Sequence, residues 1–160
     1  MTLFSLPILR TTLLAAGLLA GAAPAIVTPA LAVDTLQTRD APDLTAVRAK
    51  IKADDFKGAV VDLNAMIDKG VQHADVYNLL GFSLRKSGDT KTAQTFYKKA
   101  LEFDPDHKGA LEYQGELFVQ IGEMDKARDN EAKLAKLCPK GCEQLDDLKK
   151  VIAQATTKTN

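Results

Sequence analysis

Two cysteines, two histidines and a few paired carboxylates are the side chains whose types and spacing invite chemistry. Cys138 and Cys142 bracket the run Cys-Pro-Lys-Gly-Cys. In an oxidising compartment, two close cysteines with no third point to one disulfide, here pinning a last helix to the one before it. A metal site would need two or more further ligands, and neither His73 nor His107 is near in sequence. Covalent haem attachment needs His after the second Cys, where Glu143 stands. A thioredoxin-like pair has two intervening residues rather than three. The loop is small, so local stapling is expected rather than a dominant gain in stability. His73 and His107 stand at equal intervals in the chain, which suits turn residues at a repeat boundary, and a bound metal lacks its third ligand. Asp54-Asp55 and Asp146-Asp147 fit helix starts and solvated faces, where negative charge opposes the helix dipole favourably. The sequence has no phosphate-binding loop, nucleophile motif or Ser/His/Asp set. No enzyme activity, cofactor or metal is expected.

Those residues must be positioned by helices. Hydrophobic residues make up 46% and charged residues 26% of the 160, while aromatics reach only 6% and Trp is absent, so Ala, Leu, Val and Ile supply the core of a single domain. Apolar residues recur at helical spacing from Asp43 to Ala155, interrupted at Asp54-Asp55, Gly70, Gly88-Asp89, Asp104-Pro105-Asp106, Gly122 and Pro139-Lys140-Gly141. The pattern predicts helices over 43–53, 56–69, 74–87, 90–103, 108–121, 124–137 and 142–155, with a polar tail at 156–160. No alternating Val/Ile/Thr pattern competes.

The first 32 residues differ in composition. One charge, Arg10, precedes an apolar run from Thr11 to Val27, and Ala30-Leu31-Ala32 offers small residues at both ends of a cleavage triplet. A signal peptide over 1–32, removed after Ala32, is expected, followed by a linker at 33–42. Gly17, Gly21, Pro24 and Pro29 make the run a poor spanning helix, so no stable membrane anchor is expected after cleavage. A periplasmic or secreted protein follows. Cleavage removes Arg10 and leaves 20 basic against 21 acidic residues, a net charge of −1. Without a basic excess there is little attraction to nucleic acid.

The breaks are evenly spaced. Shifting 74–107 forward by 34 residues superposes Gly81 on Gly115, Gly88 on Gly122, Ala93 on Ala127 and Pro105 on Pro139, and shifting it backward superposes Ala93 on Ala59 and His107 on His73. Gly81 and Ala93 let two helices cross closely, Tyr77, Leu80 and Leu84 fill the flanks, and Pro105 ends the second helix. With Tyr97 and Ala100, these residues resemble the tetratricopeptide-repeat family, whose unit of this length is a helix-turn-helix. The resemblance implies an all-α fold: a short right-handed α-solenoid of about three units (40–73, 74–107 and 108–141) closed by a capping helix at 142–155. The unit at 108–141 departs with Gln114, Glu131 and Leu134 where the family prefers Leu, an aromatic and Ala, and these departures suggest that its second helix faces a shorter neighbour. The unit at 40–73 is degenerate.

The resemblance also implies that the first helix of each unit lines a concave groove that binds a protein or peptide. By register the lining includes Arg48, Lys52, Asn78, Phe82, Arg85, Glu112, Glu116 and Gln120, basic at one end and acidic at the other. Phe82 is the candidate anchor, with packing between adjacent helices as its competing role. The basic clamp with which some relatives grip a C-terminal carboxylate is missing, since Leu44, Gly109 and Tyr113 occupy its places. The expected function is a non-enzymatic adaptor or scaffold of the bacterial cell envelope. The alternative is an envelope metal or redox carrier using the Cys pair and the two His.

Overall fold

The computed structural model describes residues 41–158, and the structural statements that follow concern those residues. The expected signal peptide, and all but the end of the expected linker, lie outside them. Seven helices follow in order: α1 (Thr45–Lys52), α2 (Phe56–Asp68), α3 (Ala74–Lys86), α4 (Thr90–Phe103), α5 (Lys108–Gln120), α6 (Met124–Leu137) and α7 (Glu143–Lys158). All seven predicted helices are present, and most ends fall within a residue or two of expectation. The exception is α7, which runs through Thr156 and Thr157 where a tail was expected. No Gly or Pro follows Ala155 to stop it, and the Thr156 hydroxyl donates back to the Ile152 carbonyl at 2.9 Å.

The starts of α2 to α5 are capped by side chains. The carboxylates of Asp55 and Asp89 accept hydrogen bonds from the Gly58 and Thr92 amides, at 2.9 and 3.0 Å, and so cap α2 and α4. His73 and His107 cap α3 and α5 instead: their Nδ1 atoms accept from the Asp75 and Ala110 amides at 3.2 and 3.0 Å. That geometry puts the ring proton on Nε2, and the Nε2 of His107 donates to Asp75 Oδ1 at 2.9 Å. Between the two helices of a unit the chain turns through the left-handed region. Gly88 and Gly122 take φ of 93° and 82° there, whereas the equivalent place in the first unit is held by Asp54 at φ 57°.

The middle unit is the tightest. A Cβ on Gly81 would lie 2.8 Å from the Tyr97 ring and 3.2 Å from the Ala93 carbonyl oxygen, so α3 and α4 cross at van der Waals contact only because Gly81 has no side chain. Ala93, Tyr97 and Leu80 are completely buried. Tyr77, Ala100 and Ala110 join α3 and α4 to the start of α5, with Tyr77 stacked on Phe103 at 5.1 Å between ring centroids.

The third unit solves the same problem differently. Glu131 stands where Tyr97 would repeat, and the space over Gly115 is filled by Leu148 of α7, whose Cδ2 would lie 2.6 Å from an added Cβ. Leu134 joins Leu145, Leu148 and Ile152 in one buried cluster. Far from facing a shorter neighbour, α6 closes a cluster completed by the cap. Gln114 gives up an apolar contact but is satisfied, because Asn130 of α6 donates to its Oε1 at 3.1 Å and to the Leu111 carbonyl at 3.0 Å. Cys138 ends α6 and Cys142 precedes α7, with their sulfurs at disulfide distance and their Cα atoms 5.8 Å apart.

These contacts order the cost of substitutions. Gly81→Ala pushes on a rigid, fully enclosed ring, whereas Gly115→Ala pushes on the branched end of Leu148, which can rotate. Gly81→Ala is expected to lower unfolding stability by about 1–3 kcal/mol and Gly115→Ala by less; urea titration of the two variants checks the order, and equal losses would contradict it. Asp54→Gly removes a left-handed side chain and is expected to raise unfolding stability by up to about 1 kcal/mol, seen as a higher urea midpoint with an unchanged slope.

Candidate partner-binding surface

The repeat register sets the first helices side by side in rows. Arg48, Phe82 and Glu116 are one period apart, as are Lys52, Lys86 and Gln120, and as are Asn78 and Glu112. Arg48, Lys52, Lys86 and Gln120 are exposed, whereas Asn78 and Glu112 are buried at 4% and 7% exposure. The rows therefore have a solvated edge and an enclosed interior.

Phe82, Arg85 and Glu116 are brought together, but as structure. Arg85 on α3 makes a direct ion pair with Glu116 on α5, and the side chains are only 12% and 19% exposed. Its Nε also donates to the Tyr97 hydroxyl at 3.3 Å, which joins the pair to the ring that packs over Gly81. Phe82 lies between Tyr113 at 4.8 Å and Phe56 at 6.1 Å, and the Lys86 ammonium sits over its face at 5.8 Å. Phe82 thus has the packing role that competed with anchoring. The expected separation into a basic and an acidic end is interrupted at its centre, because Arg85 neutralises Glu116.

The acidic character concentrates around Glu112. Burial is the first reason that its carboxyl is pushed up to about 8, and the neighbouring Glu116, Asp147 and Glu143 add to it, while Arg85 opposes them. Burial also raises the Tyr113 and Tyr97 hydroxyls. At the other side, Asp75 is held below the usual carboxylate range chiefly by its hydrogen bond from His107, with smaller help from His73 and Arg48.

Reading the sequence missed Asp75, Tyr113, Glu143 and Asp147 as members of this surface. Glu143 and Asp147 follow Gly109 and Tyr113 by one period, so the register would have found them had it been carried into α7. The histidines stand at equivalent caps, as their spacing suggested, and in each the Nδ1 lone pair is occupied by an amide. Among the described residues, no three His, Cys, Asp or Glu side chains are arranged to hold a metal ion.

Helix-turn-helix units in register, crossing at small residues and presenting their first helices in rows, define a helical-repeat scaffold. Residues 74–107 match the sequence model of the tetratricopeptide repeat, and the helices on either side keep the period of that unit. The "uncharacterized protein ycf37" of Pyropia yezoensis is 33% identical over 66 residues, which cover 41% of this chain and 36% of that protein. The chain thus spans little more than a third of that relative's length. Repeats of this family serve as protein-interaction scaffolds, and their proteins are typically non-enzymatic.

Removing Arg85 leaves Glu116 enclosed beside Glu112. Arg85→Ala is expected to destabilise the fold by about 3 kcal/mol, against less than about 0.5 for exposed Arg48→Ala, as measured by chemical denaturation. Glu112 gives a pH signature. Its folded-state value lies above the ordinary carboxylate value, so its stabilising contribution is complete below about pH 4.5 and is lost as pH rises through about 8. Thermal unfolding at intervals from pH 5 to pH 9 is expected to show a steeper loss between pH 5 and pH 8 in the wild type than in Glu112→Gln, levelling off above it. Parallel profiles would refute this account of Glu112.

Proposed function

We propose that the protein is a non-enzymatic adaptor of the bacterial cell envelope, exported through a cleaved signal peptide, that engages a partner protein or peptide along its first helices. The observation that carries the reading is the tetratricopeptide repeat at 74–107, continued on both sides by helices that keep its register. Helical repeats of this kind expose extended surfaces suited to segments of other chains. Export is supported by the composition of residues 1–32 and by the cysteine pair, whose sulfurs lie at bonding distance in a loop that a disulfide would staple. Among the described residues, no helix is long and apolar enough to cross a membrane.

The row of Lys52, Lys86 and Gln120 gives the direct test, because these side chains are exposed, and of the three only Lys86, whose ammonium lies over the Phe56 and Phe82 rings, touches the packing around Phe82. A photo-crosslinking residue introduced at each of the three is expected to capture the same partner polypeptide in cells. The same residue at Val61 on α2, which is 67% exposed, or at Lys98 on α4, should not. Equal capture from Val61 and Lys98 would sink the concave-surface reading. Export is checked separately: protein isolated from cells should begin at Val33 and show no free thiol until reduced. A chain that begins at Met1 with both thiols free would remove the envelope assignment.

A further inference from the structure

Glu112 is nine-tenths buried, yet no hydrogen bond or ion pair to it exists among the described residues. Every charged or titratable group that bears on it can be named. Glu116 and Tyr113 come from its own helix, Glu143 and Asp147 from α7, and Arg85 from α3. Arg85 is the one cation in that set, and it is already committed to Glu116 and to the Tyr97 hydroxyl. Glu143 and Asp147 are exposed and have no partner of opposite charge among the described residues. An ionised carboxylate left in such a place is costly, so the free protein holds an acceptor-rich site that lacks a donor.

Asn78 points to the same deficit independently. It lies one period before Glu112 and is 4% exposed, and its Oδ1 is sealed from solvent with no hydrogen-bond partner. Its side chain reaches α5 at Gly109, one turn before Glu112: the Nδ2 is 3.2 Å from where a Gly109 Cβ would stand. Buried polar atoms are satisfied in most folded proteins, and the exceptions call for an explanation. Of the two such atoms among the described residues, the Ser83 hydroxyl on α3 can donate or accept, whereas Asn78 Oδ1 can only accept.

We propose that this end of the surface is the binding site for an arginine side chain of the partner, whose guanidinium enters between Glu112 and the Glu143 and Asp147 carboxylates, with Asn78 Oδ1 as a further acceptor. The inference rests on the reading of the first-helix face as the binding surface. A guanidinium supplies five donors in a planar fork and is less strongly hydrated than an ammonium, which suits acceptors distributed over neighbouring helices. A metal ion would need them convergent, and they are not. Glu112 is largely protonated at neutral pH, so entry of the cation transfers its proton to solvent, and affinity rises with pH until the free carboxyl is itself ionised near pH 8.

The test uses the full mature chain and a fluorescein-labelled octapeptide of alternating Ala and Arg, with an otherwise identical peptide carrying citrulline, the neutral isostere, for Arg. Fluorescence anisotropy is expected to show binding of the arginine peptide and about tenfold or greater weakening with citrulline. Glu143→Gln with Asp147→Asn, both on the surface of α7, should weaken binding about as much. Asp68→Asn with Asp125→Asn makes the same change in net charge at exposed positions elsewhere and should have little effect. Calorimetry in buffers of differing ionisation enthalpy should find release of up to about one proton in the wild type at pH 7 and none in Glu112→Gln.

Equal affinity for the citrulline peptide overturns the proposal, and so does equal weakening by the two charge-matched variants, which would mean only diffuse attraction. Absence of binding at millimolar peptide overturns it too. Failure here with cross-linking intact at Lys52, Lys86 and Gln120 would remove the arginine site and leave the adaptor surface standing. Arginine binding without that cross-linking would do the reverse.

Discussion

The contact between Gly81 and the ring of Tyr97 is the constraint on which the rest of the stack depends. It sets how closely α3 and α4 cross, and so where the Tyr97 hydroxyl emerges. That hydroxyl meets Arg85, and Arg85 reaches Glu116 on the next unit. A steric fact in the core is thereby transmitted, through one hydrogen bond and one ion pair, to the spacing of the first helices. Core and surface are not separable here, and Phe82, wedged between Phe56 and Tyr113, belongs to both.

The third unit shows what happens when that ring is missing. Glu131 cannot fill the space that Tyr97 fills, and Leu148 of α7 packs over Gly115 in its place. The cap is drawn against α5 by its apolar stripe, and Glu143 and Asp147 are carried with it to the neighbourhood of Glu112. The acidic end of the surface is thus a by-product of the way the repeat closes. One substitution in the pattern changes the electrostatics two helices away.

Most of the fold was legible because its causes are local or periodic. Asp55, Asp89, Gly88 and Gly122 announce helix ends by chemistry that acts within a few residues, and the 34-residue shift aligns the crossing points without knowledge of any contact. The candidate surface was less legible. Register says which face a side chain occupies, not whether a neighbour has enclosed it; Asn78 and Glu112 were placed on the right face and proved buried. Whether Phe82 anchors or packs, and what holds Arg85 in the groove lining, could not be read locally, because Tyr113, Tyr97 and Glu116 lie up to nearly a whole repeat away. The capping role of His73 and His107 could not be read from residue type, since imidazole is an uncommon cap and its function depends on which nitrogen has the proton. The continuation of α7 past Ala155 was obscured by treating polarity as a stop signal.

Among the described residues, the main contacts of the stack join helices adjacent in the chain or separated by a single helix. Such a molecule has low contact order, and its cooperativity weakens with distance along the stack. Packing is densest between α3 and α4, and each further helix adds its contacts to a neighbour already in place. The same asymmetry governs opening. Among the described residues, the first unit, with its left-handed Asp54 turn, has a neighbour on one side, so local opening there would leave α3, α4 and α5 folded. Amide exchange along the chain would then form a gradient with its slow maximum at the Gly81 crossing. The rows of side chains on α3 and α5 would outlast any local opening of α1.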